Sequence, residues 1–161
     1  MLKQLFLSEL LWLCIAALIA TGIIVPPITA LGSYYGLWPN FAIVFAAVTV
    51  LRLLFFSSTT PWLRPLYMKG VVIVAAVPLF LFTVLTMNDV QTLIDSQGYQ
   101  ALFATSTSED LVTTWGRYVR NEVIFFGTSL LLLLALLPFV MLVQGWRQVK
   151  ARQRGQAKLI A

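Results

Sequence analysis

The sequence contains no histidine and a single cysteine, Cys14, among its 161 residues. The lack of histidine excludes histidine-ligated haem, most zinc and copper sites, and the usual general base near neutral pH. A single cysteine excludes, within one chain, a disulfide framework, a Cys-x-x-Cys redox motif and a cysteine-based zinc site. We therefore predict no cofactor, no metal site and no catalytic residue, and the enzyme classes that depend on these groups are disfavoured.

Charged residues are also scarce. They make up 11% of the chain, whereas hydrophobic residues make up 60% and the mean hydropathy is +0.88. A soluble domain has about 25% charged residues and could not bury so large an apolar fraction at this length. The composition therefore predicts a small polytopic membrane protein with the lipid bilayer as its solvent.

The most distinct apolar run covers residues 121–143, where the only charge is Glu122 at the start. At ~1.5 Å per residue, a helix of this length crosses the ~30 Å hydrocarbon core of a bilayer. Three further spans are predicted, and the length of the first favours a retained span over a cleaved signal peptide. These spans cover residues 5–25, 37–56 and 67–87. We expect Pro26 and Pro27 to end or kink the first span and Pro78 to kink the third.

The long polar segment 88–120 separates the third and fourth predicted spans. It is too long for a bare connection, so we expect it to have structure of its own. Ser106 and Glu109 have the spacing of a capping box, and one apolar face follows them. That face contains Leu111, Trp115, Tyr118 and Val119. Two helical interpretations stay open, a helix lying on the membrane and a helix running directly into the fourth span. The alternative is a solvated loop.

The basic residues predict the orientation of the chain. With four spans, both termini and the connector 57–66 share one side, which holds most of the lysines and arginines. That side contains Lys3, Arg52, Arg64, Lys69, Arg147, Lys150, Arg152, Arg154 and Lys158. Because basic residues favour the cytoplasmic side, we expect both termini in the cytoplasm and segment 88–120 outside. The size and charge asymmetry suit a bacterial inner membrane.

The predicted fold is an all-α, antiparallel bundle of four transmembrane helices, with an extracytoplasmic amphipathic segment between helices three and four. Residues 1–146 form one transmembrane domain, and residues 147–161 form a basic cytoplasmic tail. We expect the tail to anchor to anionic lipid, at about 1 kcal/mol per basic residue near the surface. Its basic residues are Arg147, Lys150, Arg152, Arg154 and Lys158. The basic region is too small to predict nucleic-acid binding.

Two groups of charged residues are candidate sites. Glu9 and Arg52 come to a similar depth if spans one and two pack antiparallel, and they could form an intramembrane ion pair. The alternative is that each side chain reaches the headgroups on its own. The second group, at the outer end of the fourth span, could hold an ion, a lipid headgroup or a partner, or be an ordinary solvated helix face. It contains Asp110, Arg117, Arg120 and Glu122.

Three functional hypotheses follow from these features. The first is a non-catalytic accessory or assembly subunit, with another membrane protein or a second copy as its partner. The second is a small channel or transporter that functions as a homo-oligomer, uses Glu9 and Arg52, and moves at Pro78 and Pro138. The third is a lipid-active enzyme that uses the outer acidic residues.

Overall fold

The computed structural model describes residues 2–57, 60–63, 65–103 and 108–160, and within these ranges it leaves undescribed the side chains of residues 2–6, 61, 152 and 154–160. The described residues form four helices and two short 3-10 turns. The helices are α1 (Leu2–Leu31), α2 (Leu37–Phe56), α3 (Leu66–Gln97) and α4 (Glu109–Ile160). The 3-10 turns are Pro61–Leu63, before α3, and Tyr99–Leu102, after α3.

Each of the four helices is long and apolar enough to cross a membrane. The qualifying stretches are Leu7–Leu31, Leu37–Phe56, Leu66–Gln97 and Glu109–Ala151. The all-helical class and the number of candidate spans are therefore as the composition predicts. Most residues in these stretches are not buried by the protein itself, which is expected of helices whose outer faces meet lipid.

Helix α2 covers the predicted span 37–56, whereas α1, α3 and α4 extend beyond their predicted spans. Helix α1 continues through Pro26 and Pro27, so these prolines do not end it. Proline 27 lacks an N–H, which leaves the carbonyl of Ile23 without its helical partner. The Tyr118 hydroxyl of α4 donates a hydrogen bond to that carbonyl at 2.9 Å. A side chain from a neighbouring helix thus compensates for the proline, as is usual for helices in lipid.

Segment 88–120 does not form a separate amphipathic helix between two spans, and the short 3-10 turn Tyr99–Leu102 is the one element that lies wholly within its described residues. Its first ten residues are the end of α3, and residues 109–120 are the start of α4, which runs directly into the fourth predicted span. Of the two helical interpretations, the continuous one is correct. Ser106 of the proposed capping box lies outside the described residues. The Ser108 carbonyl accepts the N–H groups of Leu111 and Val112 at 3.1 and 3.2 Å, which begins the helix.

The connection between α3 and α4 packs against the turn between α1 and α2. Gly98 ends α3 with a φ of 76°, a left-handed conformation that favours glycine. Beyond it, the carbonyl of Leu102 accepts the N–H of Tyr35 at 2.7 Å, and the rings of Tyr34 and Phe103 lie 6.1 Å apart. This region, the 32–36 turn with the helix ends around it, is called the Tyr34 end below.

Two apolar clusters form the core. One lies at the Tyr34 end and contains Ile24, Leu31, Tyr34, Val90, Ile94, Leu102, Phe103, Val112, Val119 and Val123. The other joins α2, α3 and α4 and contains Ile43, Ala47, Val50, Leu53, Leu63, Ala76, Leu130, Leu134, Leu137 and Met141. The buried stripe of α4 includes Val112 and Val119, whereas Leu111 and Tyr118 of the predicted apolar face are exposed. The helix is therefore turned slightly from the predicted orientation.

Candidate functional site

Glu9 and Arg52 meet where the start of α1 lies against the end of α2. The two guanidinium nitrogens Nη1 and Nη2 of Arg52 donate to Oε2 and Oε1 of Glu9, each at 2.7 Å. Two parallel, charge-assisted hydrogen bonds are the strongest arrangement that these two side chains can form. The structure thus brings this predicted pair together in a fixed geometry.

Two tryptophans complete the surroundings of the pair. The Arg52 Cζ atom lies 5.3 Å from the centre of the Trp12 ring, which is a cation–π distance. The indole Nε1 of Trp62 donates to Oε2 of Glu9 at 3.3 Å. The side chains of Arg52 and Glu9 are 10% and 22% exposed. We call Glu9, Trp12, Arg52 and Trp62 the Glu9 clamp. The two charges pair with each other, which suits a lock between helices better than a movable ion site, although the Arg52 Nε atom is buried without a hydrogen-bond partner among the described residues.

The four predicted outer residues form no ion pair with one another in the described part of the chain. Asp110 and Arg117 are exposed. Arg120 turns toward α3, where its Nε donates to Gln91 at 3.3 Å and its Nη1 to the Tyr99 hydroxyl at 3.5 Å. Glu122 is only 7% exposed. Because successive helical residues are about 100° apart, positions 120 and 122 point in nearly opposite directions.

Glu122 lies with Asn40 and Tyr34 at the Tyr34 end. The Asn40 amide donates to the Tyr34 hydroxyl at 3.0 Å. Asn40 also approaches the Glu122 carboxyl, but this approach falls short of hydrogen-bond geometry. Both Glu122 oxygens and the Asn40 Oδ1 atom are buried without a hydrogen-bond partner among the described residues. We call Tyr34, Asn40 and Glu122 the Glu122 cluster.

Tyr34 is the one member of the Glu122 cluster that lies in a connecting turn between helices. It is 5% exposed, and this burial raises the pKa of its hydroxyl well above the usual range, while the hydrogen bond from Asn40 acts in the opposite direction. The hydroxyl is therefore protonated at neutral pH. It accepts from Asn40 and keeps its own proton for donation.

Four residues of these two groups were not predicted as site residues: Trp12, Tyr34, Asn40 and Trp62. Trp12 is one turn after Glu9, and Trp62 lies in the connector, so only the folded chain shows that they surround the pair. Asn40 had a signal, because it is an amide with an apolar run after it in a predicted span. Glu122 was predicted, but as an outer residue, and the structure turns it inward beside the buried Val119 and Val123.

The basic tail continues α4 to Ile160. Arg147 and Lys150 are exposed, as a contact with headgroups requires. The side chains of Arg152, Arg154 and Lys158 lie outside the described part of the structure. Anchoring of the tail to anionic lipid therefore stays a prediction.

Among the described residues, no group of three or more histidine, cysteine, aspartate or glutamate side chains could hold a metal ion. In comparisons with known proteins, no family model, no curated protein and no solved structure matches the chain. The chemistry of the chain is thus to be derived from its own side chains, above all from Glu9 and Glu122.

Proposed function

We propose that the protein is a non-catalytic accessory or assembly subunit of a bacterial inner membrane. In this proposal the four helices insert as an antiparallel bundle, both termini are cytoplasmic, and the Tyr34 end is outside. The orientation rests on the excess of lysine and arginine near the termini and the 57–66 connector. The partner is another membrane protein, which the subunit contacts through its helices and its outer end.

One observation supports this proposal best: segment 88–120 is largely built into the bundle and presents an acidic surface. Asp89, Asp95, Glu109 and Asp110 are all exposed there. Of the two basic residues in this segment, Arg117 is exposed and offsets part of the negative charge, whereas Arg120 is bound to Gln91 and Tyr99. A surface of fixed shape and one predominant charge selects a partner of complementary charge and fixes its orientation.

The lateral faces of the helices are also suited to contacts in the membrane. Large side chains project from them, and Trp38, Phe55 and Phe139 are 77%, 73% and 68% exposed. In a bilayer these faces meet lipid or the helices of a partner. Packing against another helix then depends on shape, since lipid is as apolar as the side chains themselves.

Native mass spectrometry of the protein, purified in mild detergent from its own cells, tests this proposal. A larger partner at fixed stoichiometry is the expected result. The double variant Glu109→Lys/Asp110→Lys should lose that partner. The control Thr92→Lys/Gln97→Lys adds lysines at exposed positions of the same end but removes no carboxylate, and it should retain more of the partner. A protein that purifies only with itself would contradict the proposal.

The proposed orientation has its own test. A cysteine at the exposed position Gln100 should label in sealed right-side-out vesicles, and one at the exposed position Lys150 should label only in inverted vesicles. The native Cys14 is exposed on α1 and must first be replaced by alanine. Labelling of the Gln100 position in inverted vesicles only would contradict an outer Tyr34 end.

A small homo-oligomeric channel or transporter is the second candidate. The observation that favours it is Glu122, a buried carboxyl with no hydrogen-bond partner among the described residues, which is a frequent feature of ion and proton pathways. Flux in proteoliposomes that is lost in Glu122→Gln would favour this candidate. The lipid-enzyme hypothesis gains no support, because Asp110 is exposed and Glu122 faces inward.

A further inference from the structure

The Glu122 cluster contains an excess of hydrogen-bond acceptors. Asn40 is 1% exposed and Glu122 is 7% exposed, so solvent does not reach either side chain freely. Three of their atoms, Oε1 and Oε2 of Glu122 and Oδ1 of Asn40, have no donor among the described residues. Buried polar atoms are nearly always paired, so three unpaired acceptors in one place indicate that a hydrogen-bond donor is missing.

No described cation supplies this donor. Glu122 forms no ion pair with any described lysine or arginine. On its own helix, Arg117 is exposed and Arg120 is bound to Gln91 of α3 and Tyr99. The same helix contributes Tyr118, whose hydroxyl donates to the Ile23 carbonyl of α1.

The other elements packed at this end bring no cation either. The 32–36 turn contributes Tyr34, and α2 contributes the uncharged Asn40. On α3, the acidic residues Asp89 and Asp95 are exposed, and Asp95 accepts from Gln91. On α1, Glu9 belongs to the Glu9 clamp and pairs with Arg52. The groups that surround Glu122 are therefore neutral, acidic or already bound to other side chains.

An ionised carboxylate in this position would be a buried charge without a counter-charge, which is strongly unfavourable in a helix bundle. Rotation of the Asn40 amide by a half turn would still leave a full negative charge with neutral neighbours only. A proton on Glu122 removes the charge and supplies one donor to a cluster that has too many acceptors. The Asn40 Oδ1 atom and the Tyr34 oxygen are acceptors in the same cluster.

We propose that Glu122, Asn40 and Tyr34 form a proton-binding site at the Tyr34 end of the bundle, with the proton carried by Glu122 at neutral pH. On release the O–H bond breaks, its electron pair stays on the carboxylate, and water or buffer takes the proton. The site goes beyond the proposed accessory role and does not depend on it. It gives the protein a group that responds to protons at the Tyr34 end, where Glu122 of α4 lies beside Asn40 of α2.

Infrared difference spectroscopy of the purified protein in lipid nanodiscs at pH 7 tests this site. The chain has six aspartate and glutamate residues in total. Four of them are exposed and Glu9 is paired with Arg52, so one protonated side-chain carboxyl per chain is expected. Its C=O band should shift in D2O and be lost in Glu122→Gln. The band should persist in Glu109→Gln, the matched control at an exposed position.

Two additional measurements do not depend on the folding of Glu122→Gln. The wild-type band should show the D2O shift at pH 7 and disappear as the pH is raised. In Tyr34→Phe the carboxyl remains but loses a neighbouring hydroxyl, so the band should persist at a changed frequency. A band of unchanged frequency in Tyr34→Phe would overturn the assignment of Tyr34 to the site.

Other outcomes would overturn the proposal as a whole. Absence of a protonated-carboxyl band in the wild type at pH 7 would mean that Glu122 is ionised and bound to water or to a rotated Asn40 amide. A band that persists in folded Glu122→Gln would belong to another carboxyl. Sodium, raised at constant ionic strength, should leave the band unchanged. Loss of the band in sodium would mean that the site binds a metal cation in place of the proton.

Discussion

Glu9 and Glu122 are the same residue type in the same bundle, yet their surroundings differ in almost every respect. Glu9 accepts two hydrogen bonds from Arg52 and one from Trp62. Glu122 is more deeply buried and accepts none from the described residues. We infer from this difference that the partner, and not burial alone, decides which state of a carboxyl this helix bundle holds. A paired carboxylate ties helices together, and an unpaired one binds a proton.

Removal of the Arg52 charge should have the largest effect on this comparison. Arg52→Gln leaves Glu9 without its counter-charge and removes the contact with Trp12, so we expect a loss of about 3 kcal/mol in the free energy of unfolding. The low end of the range for buried pairs applies because Glu9 is 22% exposed. Unfolding by a denaturing detergent in mixed micelles measures the change.

Arg52→Lys is the matched control, since it keeps the charge but loses the two-pronged geometry, and it should cost less than Arg52→Gln. A double-mutant cycle with Glu9→Gln then isolates the coupling between the two side chains. Additive effects of Arg52→Gln and Glu9→Gln would show that the pair contributes nothing to stability.

Close packing near the Glu122 cluster should give the second largest effect. A Cβ atom at Gly116 would lie 2.6 Å from Cδ1 and 2.8 Å from Cβ of Tyr99, so that ring and its backbone must move. We expect Gly116→Ala to destabilise the protein by about 2 kcal/mol, within the usual range for overpacking. The same unfolding experiment measures this loss.

Gly22→Ala serves as the control for Gly116→Ala, because a Cβ atom at position 22 meets no atom within 4 Å. It should leave stability unchanged or raise it by up to about 1 kcal/mol through helix propensity. An equal response at positions 22 and 116 would mean that the α3–α4 connection is not packed against α4 as described.

Tyr34→Phe should have a smaller effect. It removes the acceptor of the Asn40 amide and leaves that N–H buried, at a cost of about 1 kcal/mol. Tyr35→Phe, at an exposed position in the same turn, is the matched control and should change stability by less than about 0.5 kcal/mol. Equal effects of the two variants would mean that the Tyr34–Asn40 hydrogen bond contributes nothing to stability.

The number of candidate spans and the Glu9–Arg52 contact could be predicted from the sequence for clear physical reasons. Apolar runs long enough for a bilayer define spans, and a helix hairpin brings position 9 near position 52. The continuity of α1 through Pro26 and Pro27 could not be predicted from the sequence. It is accompanied by a hydrogen bond from the Tyr118 hydroxyl, which is 95 positions away from Ile23 in the chain.

The Glu122 cluster shows a second limit of sequence analysis. The charges near the start of the fourth span suggested one outer group, because their sequence positions are close. Their side chains diverge because rotation of α4 is set by buried Val119 and Val123, which turn Glu122 inward and leave Arg117 outside. The same rotation brings Asn40 of a different helix beside Glu122, a contact that no local pattern encodes.

The most direct test of the contrast between the two glutamates is the free energy of unfolding of Glu9→Gln and Glu122→Gln at neutral pH in the same micelles. We predict that Glu9→Gln loses about 2 kcal/mol, because Arg52 is left without its carboxylate. Glu122→Gln should change stability by less than about 0.5 kcal/mol, because it replaces one neutral side chain by another of similar shape. A large loss in Glu122→Gln together with no loss in Glu9→Gln would contradict the account.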